Sequence, residues 1–100
     1  MGSRESHIRA DIETGMLVRS KAGHDRKRLY LVVHKEDKWV WLTDGRCHLL
    51  DKPKKKNVLH VAAVSPVRHL DFIRTLSGLN ETGQRNAAVR SLLEASTSPD

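Results

Sequence analysis

Residues 18–33 read VRSKAGHDRKRLYLVV, and this stretch decides the fold. Its last five residues, 29–33, are rich in the β-branched and aromatic side chains that favour strands. An apolar run at residues 16–18 leads into the stretch, and the polar residues in between include Gly23. We therefore predict two strands joined by a basic loop.

Short apolar runs continue downstream of this hairpin. Residues 39–42, WVWL, form a third run, and residues 47–50, CHLL, form a fourth. Between them stands Asp44-Gly45, a dipeptide typical of tight hairpin turns. The pattern predicts a second hairpin.

A charged segment and one further run complete the β-like part of the chain. Residues 51–57, DKPKKKN, predict a basic loop, and residues 58–61 predict a fifth short strand. Five short runs at nearly regular spacing are typical of a small all-β barrel. We therefore expect a mainly β domain, a five-stranded barrel over residues 13–63, after a flexible lead-in at residues 1–12.

The apolar pattern changes to a helical period near residue 65. Ser65 as a cap and Pro66 at the first helical position predict a helix start, and Gly78 predicts its end. A second helix is expected over residues 84–95. The residues of the two apolar stripes are Val67, Leu70, Ile73 and Leu76, then Ala88, Val89, Leu92 and Leu93. This C-terminal helical hairpin, residues 65–96, either packs on the barrel or binds a partner.

The charge of the chain is concentrated in its middle. The whole sequence has 18 Lys and Arg against 12 Asp and Glu, a net charge of +6. Counted from the same sequence, residues 19–60 carry +7 (12 basic, 5 acidic) and the rest carries −1 (6 basic, 7 acidic). A localised basic field attracts polyanions. A solubilising surface is the alternative, but it would not require such concentration.

Several classes of protein fit this sequence poorly. The single cysteine, Cys47, excludes an internal disulfide and a four-cysteine zinc site. None of the six histidines forms a pair with zinc-ligand spacing, and we expect no cofactor. No apolar run approaches the length of a membrane span, and no signal peptide is evident. We expect a cytoplasmic protein without membrane contact, and favour a monomer.

Two parts of the sequence resemble a known family. Residues 18–33 resemble a KOW motif, a basic loop around a required glycine between two strands, and LTDGR at residues 42–46 and LDKPKKKNVLH at residues 50–60 extend the match. Together they resemble the small bacterial KOW-domain RNA-binding proteins, relatives of the SH3-like-barrel ribosomal proteins of the archaeal and eukaryotic large subunit. The resemblance implies an SH3-like barrel that binds RNA.

The sequence departs from the KOW pattern at one place. Such loops often carry a second glycine shortly after the aspartate, here Asp25, but Lys27 and Arg28 occupy that stretch. A side chain disfavours a positive φ. We therefore expect a different local turn.

The candidate RNA-binding residues lie in the two basic loops and beside the Asp-Gly turn. They are Arg19, Lys21, His24, Arg26, Lys27 and Arg28 in the first loop, Arg46 after the turn, and Lys52, Lys54, Lys55 and Lys56 in the second. Such cations can neutralise phosphates of a nucleic acid backbone. Solvation of the loops is the alternative, and Arg46 could equally pair with Asp44, which we interpret as a turn residue.

Trp39 and Trp41 alternate with Val40 and Leu42, so the tryptophans share one side of their strand. Exposed, they would stack with unpaired bases. Alternatively they lie beneath the C-terminal helices, which we favour because adjacent exposed tryptophans promote aggregation.

The sequence as a whole predicts a non-catalytic RNA-binding protein. Its partner would be structured RNA, ribosomal RNA above all, in a ribosome-associated or ribosome-assembly role in translation. No phosphate-binding glycine loop, nucleophile elbow or paired-carboxylate set indicates an enzyme. The alternative is an adaptor that binds a ribosomal or transcription-machinery protein through the barrel or the helices.

Overall fold

The structure, a computed structural model, describes residues 12–21, 23 and 27–96 of the chain. A five-stranded antiparallel sheet is followed by two helices, which confirms the mainly β prediction. The strands are β1 Met16–Ser20, β2 Leu29–Glu36, β3 Trp39–Thr43, β4 Lys54–Asn57 and β5 Val61–Arg68; a 3₁₀ helix spans Val58–His60, and the α-helices are α1 Leu70–Ser77 and α2 Thr82–Ser96. The strand order in the sheet is β4-β3-β2-β1-β5.

The β1–β2 hairpin forms where the opening stretch predicts it. Leu17 lies opposite Leu31, and where the hairpin turns, Lys27 N–H donates to the carbonyl of Ser20 over 2.8 Å. Lys27 has a φ of 72°. Lys27 thus adopts, in place of a glycine, the positive φ that side chains disfavour.

The fourth strand is not where the apolar pattern places it. Residues 47–50 belong to a loop, 44–53, while β4 lies within the predicted basic loop. The predicted strand at residues 47–50 and the predicted basic loop at residues 51–57 are therefore both wrong. Charged side chains suit an edge strand because they discourage pairing with other chains. In the 44–53 loop, Leu50 packs against the cluster formed with the helices, while Leu49 is exposed.

The helical segment begins later than Ser65 and Pro66 predict. Both residues lie in β5, and α1 begins at Leu70. Proline is tolerated in an edge strand, where its missing N–H breaks no ladder bond, and β5 is such an edge. The predicted helix end at Gly78 is confirmed.

The sheet separates two apolar clusters. Val18, Tyr30, Val32, Val40 and Leu42 belong to one, with Ile12, Val58 and Val61. Leu17 and Leu31, which face the other way, pack with Leu76 of α1 and with Val89 and Leu93 of α2. The helices therefore cover the second face of the sheet.

The buried residue Ile12 revises the boundary of the predicted lead-in. Its side chain is only 2% exposed and belongs to the first cluster, so Ile12 is part of the core, while residues 1–11 lie outside the described part. The 3₁₀ helix joins two distant points of the sheet, since Val58 N–H donates to Lys38 and Lys21 N–H donates to His60, both over 2.8 Å. A closed barrel remains a prediction.

Neither α1 nor α2 is long and apolar enough to cross a bilayer, and the same holds for every helix in the described residues.

Candidate nucleic-acid interface

The β1–β2 and β3–β4 loops meet at one end of the sheet. β2 begins and β3 ends there, with Leu31 opposite Thr43. Arg28 Nη1 lies 3.8 Å from the Sγ atom of Cys47, and the rings of Tyr30 and His48 are 5.9 Å apart. Two segments that are separate in the sequence thus form one surface, which we call the loop end.

The cations of the β1–β2 loop are exposed at the loop end. Arg19, Lys21, Lys27 and Arg28 all face solvent. Arg19 Nη1 donates to the carbonyl of Lys27 over 2.7 Å, which braces the turn. The predicted residues His24 and Arg26 lie outside the described residues.

Arg28 keeps its charge in this position. A hydrogen bond to the thiol of Cys47, together with the charge interaction between the two groups, raises the pKa of the Arg28 guanidinium above its ordinary value. The guanidinium is fully exposed, so a ligand can reach its donor groups.

Asp44 shapes the start of the 44–53 loop. Its Oδ1 accepts hydrogen bonds from the backbone N–H groups of Arg46 and His48, each over 2.9 Å, and the side chain of Thr43 donates to the carbonyl of His48 over 2.6 Å. This confirms Asp44 as a turn residue. The Asp-Gly turn, however, opens a long loop rather than a two-residue hairpin.

Arg46 does not direct its guanidinium toward Asp44. Its Nη2 lies 2.6 Å from Oε2 of Glu94 on α2, in an ion pair whose side chains are both more than half exposed. The contact with Asp44 is made by the backbone N–H alone. Any phosphate at Arg46 would have to share the guanidinium with Glu94.

A polar stripe of α2, which was not among the residues predicted from the sequence, holds the 44–53 loop in place. Asn86, 4% exposed, accepts through Oδ1 from the backbone N–H of Leu50 over 2.9 Å, and Arg90 Nη1 donates to the carbonyl of Gly45 over 2.7 Å. With Glu94 these residues recur every four positions, which places them on one helix face. This four-residue spacing was the sequence signal from which a polar face on α2 could have been predicted.

The lysine run does not form one surface, contrary to the prediction of a basic loop. Lys54 and Lys56 lie opposite Leu42 and Val40, so they share the sheet face of the first apolar cluster, and both are half-buried. Lys55 points to the other face, and Lys52 is exposed in the loop before β4. The alternation of a strand divides residues that are contiguous in sequence.

The tryptophans lie against a lysine rather than beneath the helices. The Nζ atom of Lys55 is 4.8 Å from the ring centroid of Trp39 and 5.6 Å from that of Trp41. Both tryptophans remain half-buried. The favoured interpretation, in which the helices cover them, is wrong, because α1 and α2 pack on Leu17 and Leu31 toward β1.

Among the residues that the structure describes, no three His, Cys, Asp or Glu side chains are grouped so that they could hold a metal ion. No protein-family model matches the chain, and no curated protein matches it.

Proposed function

We propose that the chain binds structured RNA through the loop end. The observation that carries the proposal is the contact of Arg28 with Cys47, which joins the two loops. It gathers exposed cations from both loops at one end of the sheet, namely Arg19, Lys21, Lys27 and Arg28 from the first loop and Lys52 from the second. Arginine forks and lysine ammonium groups neutralise phosphates.

The proposed RNA is folded, and ribosomal RNA is the first candidate because of the KOW resemblance. In folded RNA, phosphate and shape contacts dominate over reading of base edges. We accordingly propose a non-catalytic, cytoplasmic protein without a cofactor, which acts on the ribosome or in its assembly. Crosslinking in cells, followed by sequencing of the bound RNA, is expected to give reads clustered at one ribosomal position.

The proposed surface is tested by single charge reversals. Lys21→Glu and Lys27→Glu alter exposed loop cations, whereas Arg74→Glu makes the same charge change on α1, where the Arg74 side chain is 81% exposed. Titration of folded ribosomal RNA fragments by fluorescence anisotropy should show weaker binding and a shallower salt dependence for the two loop variants. Equal losses for all three variants would reject the loop end as the site.

A second candidate function is supported by an apolar pocket beside the helices. The pocket, ≈ 240 Å³ in volume, is lined by Val33, Leu50, Ile73 and Leu76, with Arg85 at its edge. Its size suits an apolar side chain of a ribosomal or transcription-machinery protein. The adaptor role predicts that protein partners stay bound in a pull-down after nuclease treatment and are lost on Ile73→Asp. Partners that disappear when nuclease removes the RNA would argue against this role.

A further inference from the structure

Both tryptophans of the chain belong to a polar and aromatic array on one face of the sheet. Residues directly opposite each other on neighbouring strands share a face. Two rows cross β2, β3 and β4: His34, Trp41 and Lys55 form one, and Glu36, Trp39 and Asn57 form the other. We call these six residues the tryptophan face.

The rings of the tryptophan face are half-buried, line an open pocket and already hold a cation. Lys55 Nζ lies within 6 Å of both tryptophan centroids, and the ring of His34 is 4.9 Å from that of Trp41 at an interplanar angle of 55°. An open pocket, ≈ 350 Å³ in volume, is lined by both tryptophans, Lys55, Glu36 and Asp37. The array thus combines stacking surfaces, a lysine ammonium group and hydrogen-bond acceptors.

We propose that the tryptophan face binds an unpaired RNA base, which stacks on Trp39 and Trp41 while Lys55 moves from the rings to the adjoining phosphate. This inference rests on the proposed function and narrows it, because the preferred RNA then has a single-stranded segment beside its folded part. Stacking on aromatic side chains contributes roughly 5- to 150-fold in affinity per base. Carboxylates such as Glu36 can accept hydrogen bonds from amino groups of a base edge.

Charge and position both favour RNA over a cationic ligand at this face. A cationic peptide would have to displace the Lys55 ammonium from the tryptophan rings, whereas a phosphate of an RNA strand can pair with it. β3 leads from Trp41 toward the loop end, which begins three residues later at Asp44, about 10 Å away at the rise of a strand. A strand leaving RNA bound at the loop end therefore reaches the tryptophan face within a short distance.

The inference is tested with the unmodified chain by tryptophan fluorescence. The sequence contains two tryptophans, and both lie on the tryptophan face, so the signal reports this face alone. We expect a single-stranded oligo(A) ribonucleotide to quench the fluorescence as it binds, and inorganic polyphosphate of equal charge to bind without quenching. Equal quenching by polyphosphate would overturn the inference, because polyphosphate has no base to stack.

A double variant separates this face from the loop end. In anisotropy titrations, Trp39→Leu with Trp41→Leu should weaken oligo(A) binding at least 5-fold and leave polyphosphate binding unchanged, whereas Lys27→Glu should weaken both. If oligo(A) binds without quenching, and binds the double variant as tightly as the native chain, the tryptophan face is wrong while RNA binding at the loop end stands. If neither oligo(A) nor polyphosphate binds, the proposed function fails, and this inference fails with it.

Discussion

Lys27 holds a backbone conformation that side chains disfavour. Its φ is 72°, and its N–H and carbonyl are both engaged, by Ser20 and by Arg19. A non-glycine residue in the left-handed region costs about 1–2 kcal/mol, while glycine costs about 0.5–1 kcal/mol in chain entropy. We therefore predict that Lys27→Gly stabilises the chain by about 0.5–1 kcal/mol in urea unfolding.

Lys27→Ala is the matched control for this prediction. It removes the same charge but keeps a Cβ atom, so the strain remains and its free energy of unfolding should stay close to that of the native chain. Equal stabilisation by both variants would show that charge repulsion, rather than φ, is relieved. RNA binding should weaken in both.

Gly45 allows the 44–53 loop to approach α2. Its φ is 75°, and a Cβ atom at this position would lie 2.5 Å from the backbone oxygen of Asn86. Gly45→Ala combines left-handed strain with a backbone clash, for which we predict a loss of about 2–4 kcal/mol. Thermal unfolding should show a midpoint lower by roughly 8 °C or more for a domain of this size.

Gly83→Ala provides the comparison for Gly45→Ala. A Cβ atom at Gly83 meets nothing within 4 Å, and the residue lies in α2. Alanine favours a helix over glycine by up to about 1 kcal/mol, so this variant should unfold at the same temperature or higher. A similar loss for both variants would contradict the proposed contact.

At the scale of elements, α2 fixes the 44–53 loop through Asn86. The Asn86 side chain joins the N–H of Leu50 to the carbonyl of Thr82, both over 2.9 Å. Removal of a buried hydrogen-bond partner costs about 1–3 kcal/mol, so Asn86→Ala should destabilise the chain by that amount. Hydrogen exchange should show faster exchange of the Leu50 amide.

The exposed Asn80, between α1 and α2, is the control for this element. Asn80→Ala should change stability by less than about 0.5 kcal/mol and leave the Leu50 amide protected. If Asn86→Ala leaves that amide protected as well, the loop is held by the strands and not by α2.

Elements with a strong local sequence pattern were predictable, and elements whose position depends on pairing with another strand were not. The hydrophobic runs placed β1, β2 and β3, and the end of α1 at Gly78 followed from a single residue. β4 could not be found in this way, because the lysines of an edge strand carry no apolar alternation. β5 includes Ser65 and Pro66 because its pairing with β1 outweighs the local helix signal of these two residues.

At the scale of the whole molecule, the charge should govern binding. Among the predicted cations that the structure describes, six besides Arg46 are exposed: Arg19, Lys21, Lys27, Arg28, Lys52 and Lys55. If about six phosphates are neutralised, the slope of log K against log salt concentration is expected at about −4 to −5. Anisotropy titrations over a range of salt concentrations measure it, and a slope near −1 would exclude an extended phosphate contact.

The sequence by itself determined the β-rich first part, the two C-terminal helices and the concentration of positive charge in residues 19–60. These depend on composition and on periods within single segments, which are local. Only the tertiary structure decided which cations lie close together. It joined the two loops through the contact of Arg28 with Cys47, and it paired Arg46 with Glu94. It also placed Lys55 beside the tryptophans, whereas Lys54 and Lys56 lie on the opposite face of the sheet. Those outcomes depend on strand register and helix docking, which bring together residues that are far apart in the chain.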